Sequence, residues 1–87
     1  MNKISVIIAD DHPMLRHGLK QILELEDDIV VVAQASNGQE AVNLAKRYNP
    51  DVILMDINMP VLNGLQAIKE LKQEKIESKV VVLTIHE

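Results

Sequence analysis

Cysteine is absent from these 87 residues, and so are phenylalanine and tryptophan; Tyr48 is the single aromatic side chain. Without cysteine there is no disulfide and no thiolate metal site. Without large aromatics the core must be aliphatic. Basic charge is scarce as well: 9 Lys and Arg stand against 13 Asp and Glu, a net charge of −4. A protein that grips a nucleic-acid backbone needs a clustered basic face, and this balance argues against one. Long apolar runs are missing too. The longest are four or five residues, far short of a membrane span. No charged start leads into a long apolar stretch, so no signal peptide is expected and the cytoplasm is the expected compartment. The apolar share of 47% and charged share of 25% are globular proportions, and 87 residues hold one core rather than two.

What is present is a rhythm. Four short runs are rich in β-branched residues: Ile4–Ala9, Ile29–Ala33, Val52–Met55 and Val80–Ile85. Near-continuous apolar runs of this length predict buried parallel strands. Helical patterns lie between them. Met14, Leu15, Gly18, Leu19, Ile22 and Leu23 form a stripe, with Pro13 suited to the first turn and Asp11 or His12 to the cap. Ser36 and Gln39 have capping-box spacing ahead of Ala41, Val42 and Ala45, and Asn49-Pro50 ends that helix. A third helix starts near Asn63-Gly64, with Leu65, Ile68 and Leu71 expected inside and Lys69–Lys75 as a solvated face. The order β-α-β-α-β-α-β predicts an α/β, doubly wound parallel sheet.

In such sheets ligands gather at the carboxyl ends of the strands. Asp10-Asp11 follow the first strand, Asp56 through Pro60 the third, and Thr84 lies in the fourth. If the first and third strands are neighbours, three carboxylates meet at one edge. Their mutual repulsion calls for a cation, and oxygen donors without cysteine suit Mg²⁺ or a similar hard ion. A carboxylate there can act as a nucleophile toward a phosphoryl group, and the Thr84 hydroxyl can hydrogen-bond the transferred oxygens. Each feature alone has a plainer use: Asp10-Asp11 as a helix cap, Thr84 as a strand former, Pro60 and Gly64 as turn residues. Their joint placement at strand ends outweighs those uses. His12 and His17 are five apart and share no helix face, so they are not expected to form a metal pair. Tyr48 and the methionines Met14, Met55 and Met59 read as packing and loop fillers.

Asp10-Asp11, the run Asp56-Ile57-Asn58-Met59-Pro60-Val61-Leu62-Asn63-Gly64, and Leu83-Thr84 resemble the receiver domain of bacterial two-component response regulators. The likeness extends from Ile4 to Thr84. Asp10-Asp11-His12-Pro13, Asn37-Gly38-Gln39-Glu40-Ala41 and Thr84-Ile85-His86 look most like the subfamily with a C-terminal, LuxR-type helix-turn-helix domain. The resemblance implies a flavodoxin-like receiver fold with strand order 2-1-3-4 over these elements. It implies that Asp56 is the phosphoacceptor, served by a sensor histidine kinase. Mg²⁺ or Mn²⁺ would be held by Asp10, Asp11, Asp56 and the Asn58 backbone carbonyl. Thr84 would be the switch hydroxyl. Met59, Pro60 and Gly64 would shape the loop, and Asn58 and His86 would tune the lifetime of the phosphate.

The family also has a further helix, a fifth strand with an essential Lys at its end, and a last helix. No residue here matches that Lys, since Lys79 starts the fourth strand. The expectation is therefore that residues 1–87 form a receiver domain incomplete at its C-terminus, short by roughly 35–45 residues. An uncovered edge strand would then favour self-association or a swapped dimer. DNA would be engaged only through a C-terminal domain beyond these residues, and no membrane contact is expected. Two other functions compete: a degenerate receiver acting as an interaction module, and an aspartate-nucleophile phosphatase of the haloacid-dehalogenase type. The phosphatase usually carries D-x-D at one strand end, which Asp10-Asp11 do not match.

Overall fold

The computed structural model describes residues 3–59 and 61–83. Seven elements alternate: β1 (Ile4–Ala9), α1 (Pro13–Leu23), β2 (Ile29–Ala35), α2 (Gly38–Tyr48), β3 (Val52–Asp56), α3 (Gly64–Gln73) and β4 (Lys79–Leu83). The strands form one parallel sheet in the order β2-β1-β3-β4. The chain thus folds as a doubly wound parallel α/β sheet in the strand order the sequence predicts. Three strand limits differ, β3 by the single residue Asp56, which pairs with Leu83. β2 runs two residues further, because Ala35 is buried and its carbonyl accepts the Asp10 N–H at 3.0 Å. β4 gains Lys79, whose N–H is bonded to the Asp51 carbonyl; the last two residues expected for that strand lie outside the described residues.

Helices cover both faces. On one, Val6, Ile8 and Val31 pack under Leu19 and Leu23 of α1. On the other, Ile7, Ile53 and Met55 meet Ala41, Val42 and Ala45 of α2 and Ala67 and Leu71 of α3. Strand side chains alternate between faces, so adjacent Ile7 and Ile8 serve opposite layers. Ile7, Ile8, Ile53 and Met55 are fully buried, and removing each from water contributes about 1.5–3 kcal/mol.

The apolar stripes are partly dry and partly wet. α1 has no fully buried residue; Met14 is 88% exposed and Ile22 64%. This helix lies over β1 and β2 and touches them through Leu19 and Leu23, so the rest of its stripe meets solvent. In α3 the interior positions are Gly64, Ala67 and Leu71, while Leu65 is 64% exposed. Tyr48 is exposed as well, with the Arg47 guanidinium 5.5 Å from its ring. The caps also shift. Asn37, not Ser36, caps α2 by accepting the Glu40 N–H, and Glu40 reaches back to the Ser36 N–H and hydroxyl. Asn63 and Gln66 form the capping box of α3.

The amino ends of three strands are tied together by one residue. Asp51 Oδ2 accepts the Ser5 N–H at 2.8 Å and its hydroxyl at 3.1 Å. The Asp51 N–H returns to Ser5, and its carbonyl holds Lys79. β1, β3 and β4 are thereby locked in register at the end opposite the acidic residues.

Candidate functional site

Register brings the acids together. Ala9 pairs with Met55, so the next residues, Asp10 and Asp56, stand side by side at the carboxyl ends of β1 and β3. One ligand atom from each of Asp10, Asp11, His12 and Asp56 lies within 4.8 Å of the others. The convergence expected of the three carboxylates is thus present. His12 joins them.

Asp10 is fully buried. Its Oδ1 accepts the His12 N–H at 2.7 Å and lies 2.7 Å from His12 Nδ1. Its backbone carbonyl accepts Arg16 Nη1 at 2.6 Å. Its Oδ2 is buried with no hydrogen-bond partner among the described residues. Asp11 Oδ1 is likewise buried and unbonded, although His12 Nδ1 is 3.1 Å away. Unpartnered buried carboxylate oxygens are costly unless a ligand completes them. The donor set, three carboxylates and no thiolate, fits a hard divalent cation. The Asp10 hydrogen bond, then the charges of Asp11 and Asp10, hold the His12 imidazole above its ordinary pKa.

Asp56 is buried at the tip of β3. Its Oδ1 accepts the Asn58 N–H at 3.0 Å, which fixes the carboxylate. Among the described residues Oδ2 takes no hydrogen bond. Gly64 closes the loop behind it: a Cβ built there would stand 2.5 Å from the Asp56 carbonyl oxygen and 2.6 Å from Ile57 Cα. Gly38 does the same for the loop's far side, where a Cβ would overlap the Leu62 carbonyl. Both positions need the absence of a side chain. Met59 is buried against the α2 and α3 layer. Between these anchors Val61 adopts φ 69°, a left-handed conformation unfavourable for a β-branched residue.

Of the residues singled out in the sequence, Asp10, Asp11, Asp56, Asn58, Met59 and Gly64 border this site. Pro60, Thr84 and His86 lie outside the described residues. Two participants were not expected, His12 and Arg16. Neither Asp11 nor His12 caps α1 with its side chain; the acid one residue earlier, Asp10, accepts the His12 N–H instead.

Residues 6–87 match the family described as response regulator receiver domain. Across 86 residues the chain is 51% identical to the transcriptional regulatory protein DegU of Brevibacillus brevis, covering 99% of this chain and 36% of that protein. It is 42% identical over 81 residues to the nitrate/nitrite response regulator protein NarL of Escherichia coli, covering 93% of this chain and 38% of that protein. The chain therefore spans well under half the length of these curated relatives. Among solved structures, a DNA-binding response regulator of the LuxR family from Staphylococcus aureus superimposes with a TM-score of 0.88 at 36% identity. That alignment covers 97% of this chain and 70% of the other.

Proposed function

This chain belongs to the response regulator receiver family, and on that premise we propose that residues 1–87 act as one receiver unit, with Asp56 accepting a phosphoryl group from the phosphohistidine of a sensor histidine kinase. The observation that carries this is the convergence of Asp10, Asp11 and Asp56, with Asp10 Oδ2 buried and unpartnered. A carboxylate oxygen of Asp56 attacks phosphorus. The P–N bond to the kinase imidazole breaks, and its electron pair returns to the ring nitrogen. The product is an acyl phosphate on Asp56, which water later hydrolyses to phosphate and the carboxylate. The unit is thus modified and reset, rather than turning over a separate substrate.

The chain's own residues set the geometry. The Asn58 N–H holds Asp56 Oδ1 and leaves Oδ2 as the attacking atom. Gly64 and Gly38 permit the tight loop that carries it. Asp10, Asp11, Asp56 and the Asn58 carbonyl would hold Mg²⁺ or Mn²⁺, which supplies charge neutralisation for the incoming phosphoryl oxygens. In the same proposal Thr84 is the switch hydroxyl, and Asn58 and His86 tune hydrolysis. No described helix is long and apolar enough to cross a membrane; the cytoplasm is the proposed site of action. The similarity to DegU and NarL supports a role in transcription control, exerted on DNA through a helix-turn-helix domain outside these residues.

The test is treatment with acetyl phosphate and Mg²⁺, followed by intact mass. One base-labile phosphate is expected on the wild-type chain and none on Asp56→Asn. An adduct that survives Asp56→Asn overturns the assignment. Rapid turnover of unrelated phosphate esters would instead favour a phosphatase.

A further inference from the structure

The acidic site holds four ligating groups, and one of them is a nitrogen. His12 Nδ1 stands 2.7 Å from Asp10 Oδ1 and 3.1 Å from Asp11 Oδ1. No packing forces it there, since the His12 side chain is 63% exposed. Nor does helix capping, because His12 occupies the N-cap of α1 without a side-chain cap bond. Its backbone is extended, at φ −101° and ψ 105°, as a residue before proline prefers, and the Asp10 carboxylate bonds its N–H. The imidazole is therefore delivered to the acids by the backbone turn. Asp10, wholly buried, still has Oδ2 without a partner, so the cluster has donor capacity left for a ligand.

We propose that His12 is a nitrogen ligand to the divalent ion of this site and shifts its preference from Mg²⁺ toward Mn²⁺ and Co²⁺. The inference rests on the ion site proposed above and adds a residue to it. Mg²⁺ favours an all-oxygen shell and keeps several waters. An imidazole nitrogen adds more affinity for later first-row ions, in the order Mn²⁺ < Fe²⁺ < Co²⁺ < Ni²⁺. Donors on opposite sides of one such ion stand about 4.2 Å apart, so a set within 4.8 Å needs only small adjustments to share it.

The test uses the full chain and the ions alone. Pulsed electron paramagnetic resonance of the Mn²⁺-loaded chain should show imidazole nitrogen coupling. The coupling should persist in His17→Ala, whose ring lies on exposed helix surface, and vanish in His12→Ala. Calorimetric titration should show His12→Ala losing about tenfold or more in Co²⁺ and Mn²⁺ affinity, with less than about threefold for Mg²⁺. Circular dichroism verifies that the variant is folded. Nitrogen coupling that survives His12→Ala, or an equal loss for all three ions, overturns the inference and leaves the ion site standing. Failure of every ion to bind the wild-type chain removes the site itself, and this inference with it.

Discussion

Replacing Gly64 by alanine tests whether the loop behind the proposed phosphoacceptor is as tight as the structure says. The added methyl would meet three backbone atoms: the Asp56 oxygen at 2.5 Å, Ile57 Cα at 2.6 Å and the Asp56 carbonyl carbon at 3.1 Å. Reaching ordinary contact near 3.4 Å means a retreat of about 0.9 Å, and backbone in a four-strand sheet has no rotamer to give. Overpacking of this kind costs about 1–3 kcal/mol. Reduced freedom of the unfolded chain returns about 0.4–1 kcal/mol. A net loss of about 1–2 kcal/mol lowers Tm by roughly 4–16 °C in a domain of this size. Gly18→Ala is the control. A Cβ there meets nothing within 4 Å, and the site is mid-helix, so about 0.5–1 kcal/mol should be gained. The same chemical change should thus move thermal unfolding, followed by circular dichroism, in opposite directions. Because the atoms displaced by Gly64→Ala carry Asp56, its acetyl phosphate adduct should also form more slowly than in Gly18→Ala. Melting of Gly64→Ala within about 2 °C of wild type, or a shared direction for both variants, would refute the reasoning.

Other expectations follow from single contacts. Val61→Asn should gain about 1 kcal/mol in urea unfolding, because asparagine tolerates the left-handed φ that valine does not. The Ser36 hydroxyl and N–H hold the Glu40 carboxyl below its ordinary value of 4.5. Its contribution is present above pH 4.5 and fades as pH falls through the lowered folded value; Glu40→Gln should therefore be less stable than wild type at neutral pH and converge with it as acid takes the pH below that value. A divalent cation at a hundred times its Kd should add about 2.7 kcal/mol to wild-type stability in urea titrations. Asp11→Asn should lose that increment, yet match or exceed wild type when no ion is added, since it removes one of three crowded charges.

The strands and the acidic convergence were legible because both follow from local pattern. A β-branched run of five or six residues has few alternatives, and polar residues that end such runs must emerge at one sheet edge. What failed was tertiary. A helical stripe says which residues share a face, not how much of that face is covered. Met14 and Leu65 belong to their stripes, yet lie beyond the reach of the sheet. At the start of α2 two overlapping caps were written, Ser36 with Gln39 and Asn37 with Glu40; the backbone entry angle chose the second. His12 was unreadable for a related reason. Its role depends on the Asp10 carboxylate turning back toward the chain, a hydrogen bond of two residues' separation that leaves no periodic trace. Arg16 offered a faint signal, as a cation in the first full turn of a helix that follows two acids.

The Asp51 lock gives the sheet a mechanical polarity. β3 runs from Val52, next to this anchor, to Asp56 about 13 Å away along four residues, held between β1 and β4. Loosening the anchor enough to tilt β3 by about 5° would carry the carboxylate roughly 1 Å, the margin between attack and a miss in the proposed phosphoryl transfer. On that proposal the aim of Asp56 depends partly on Ser5 and Asp51, two residues at the opposite end of the sheet from the carboxylate.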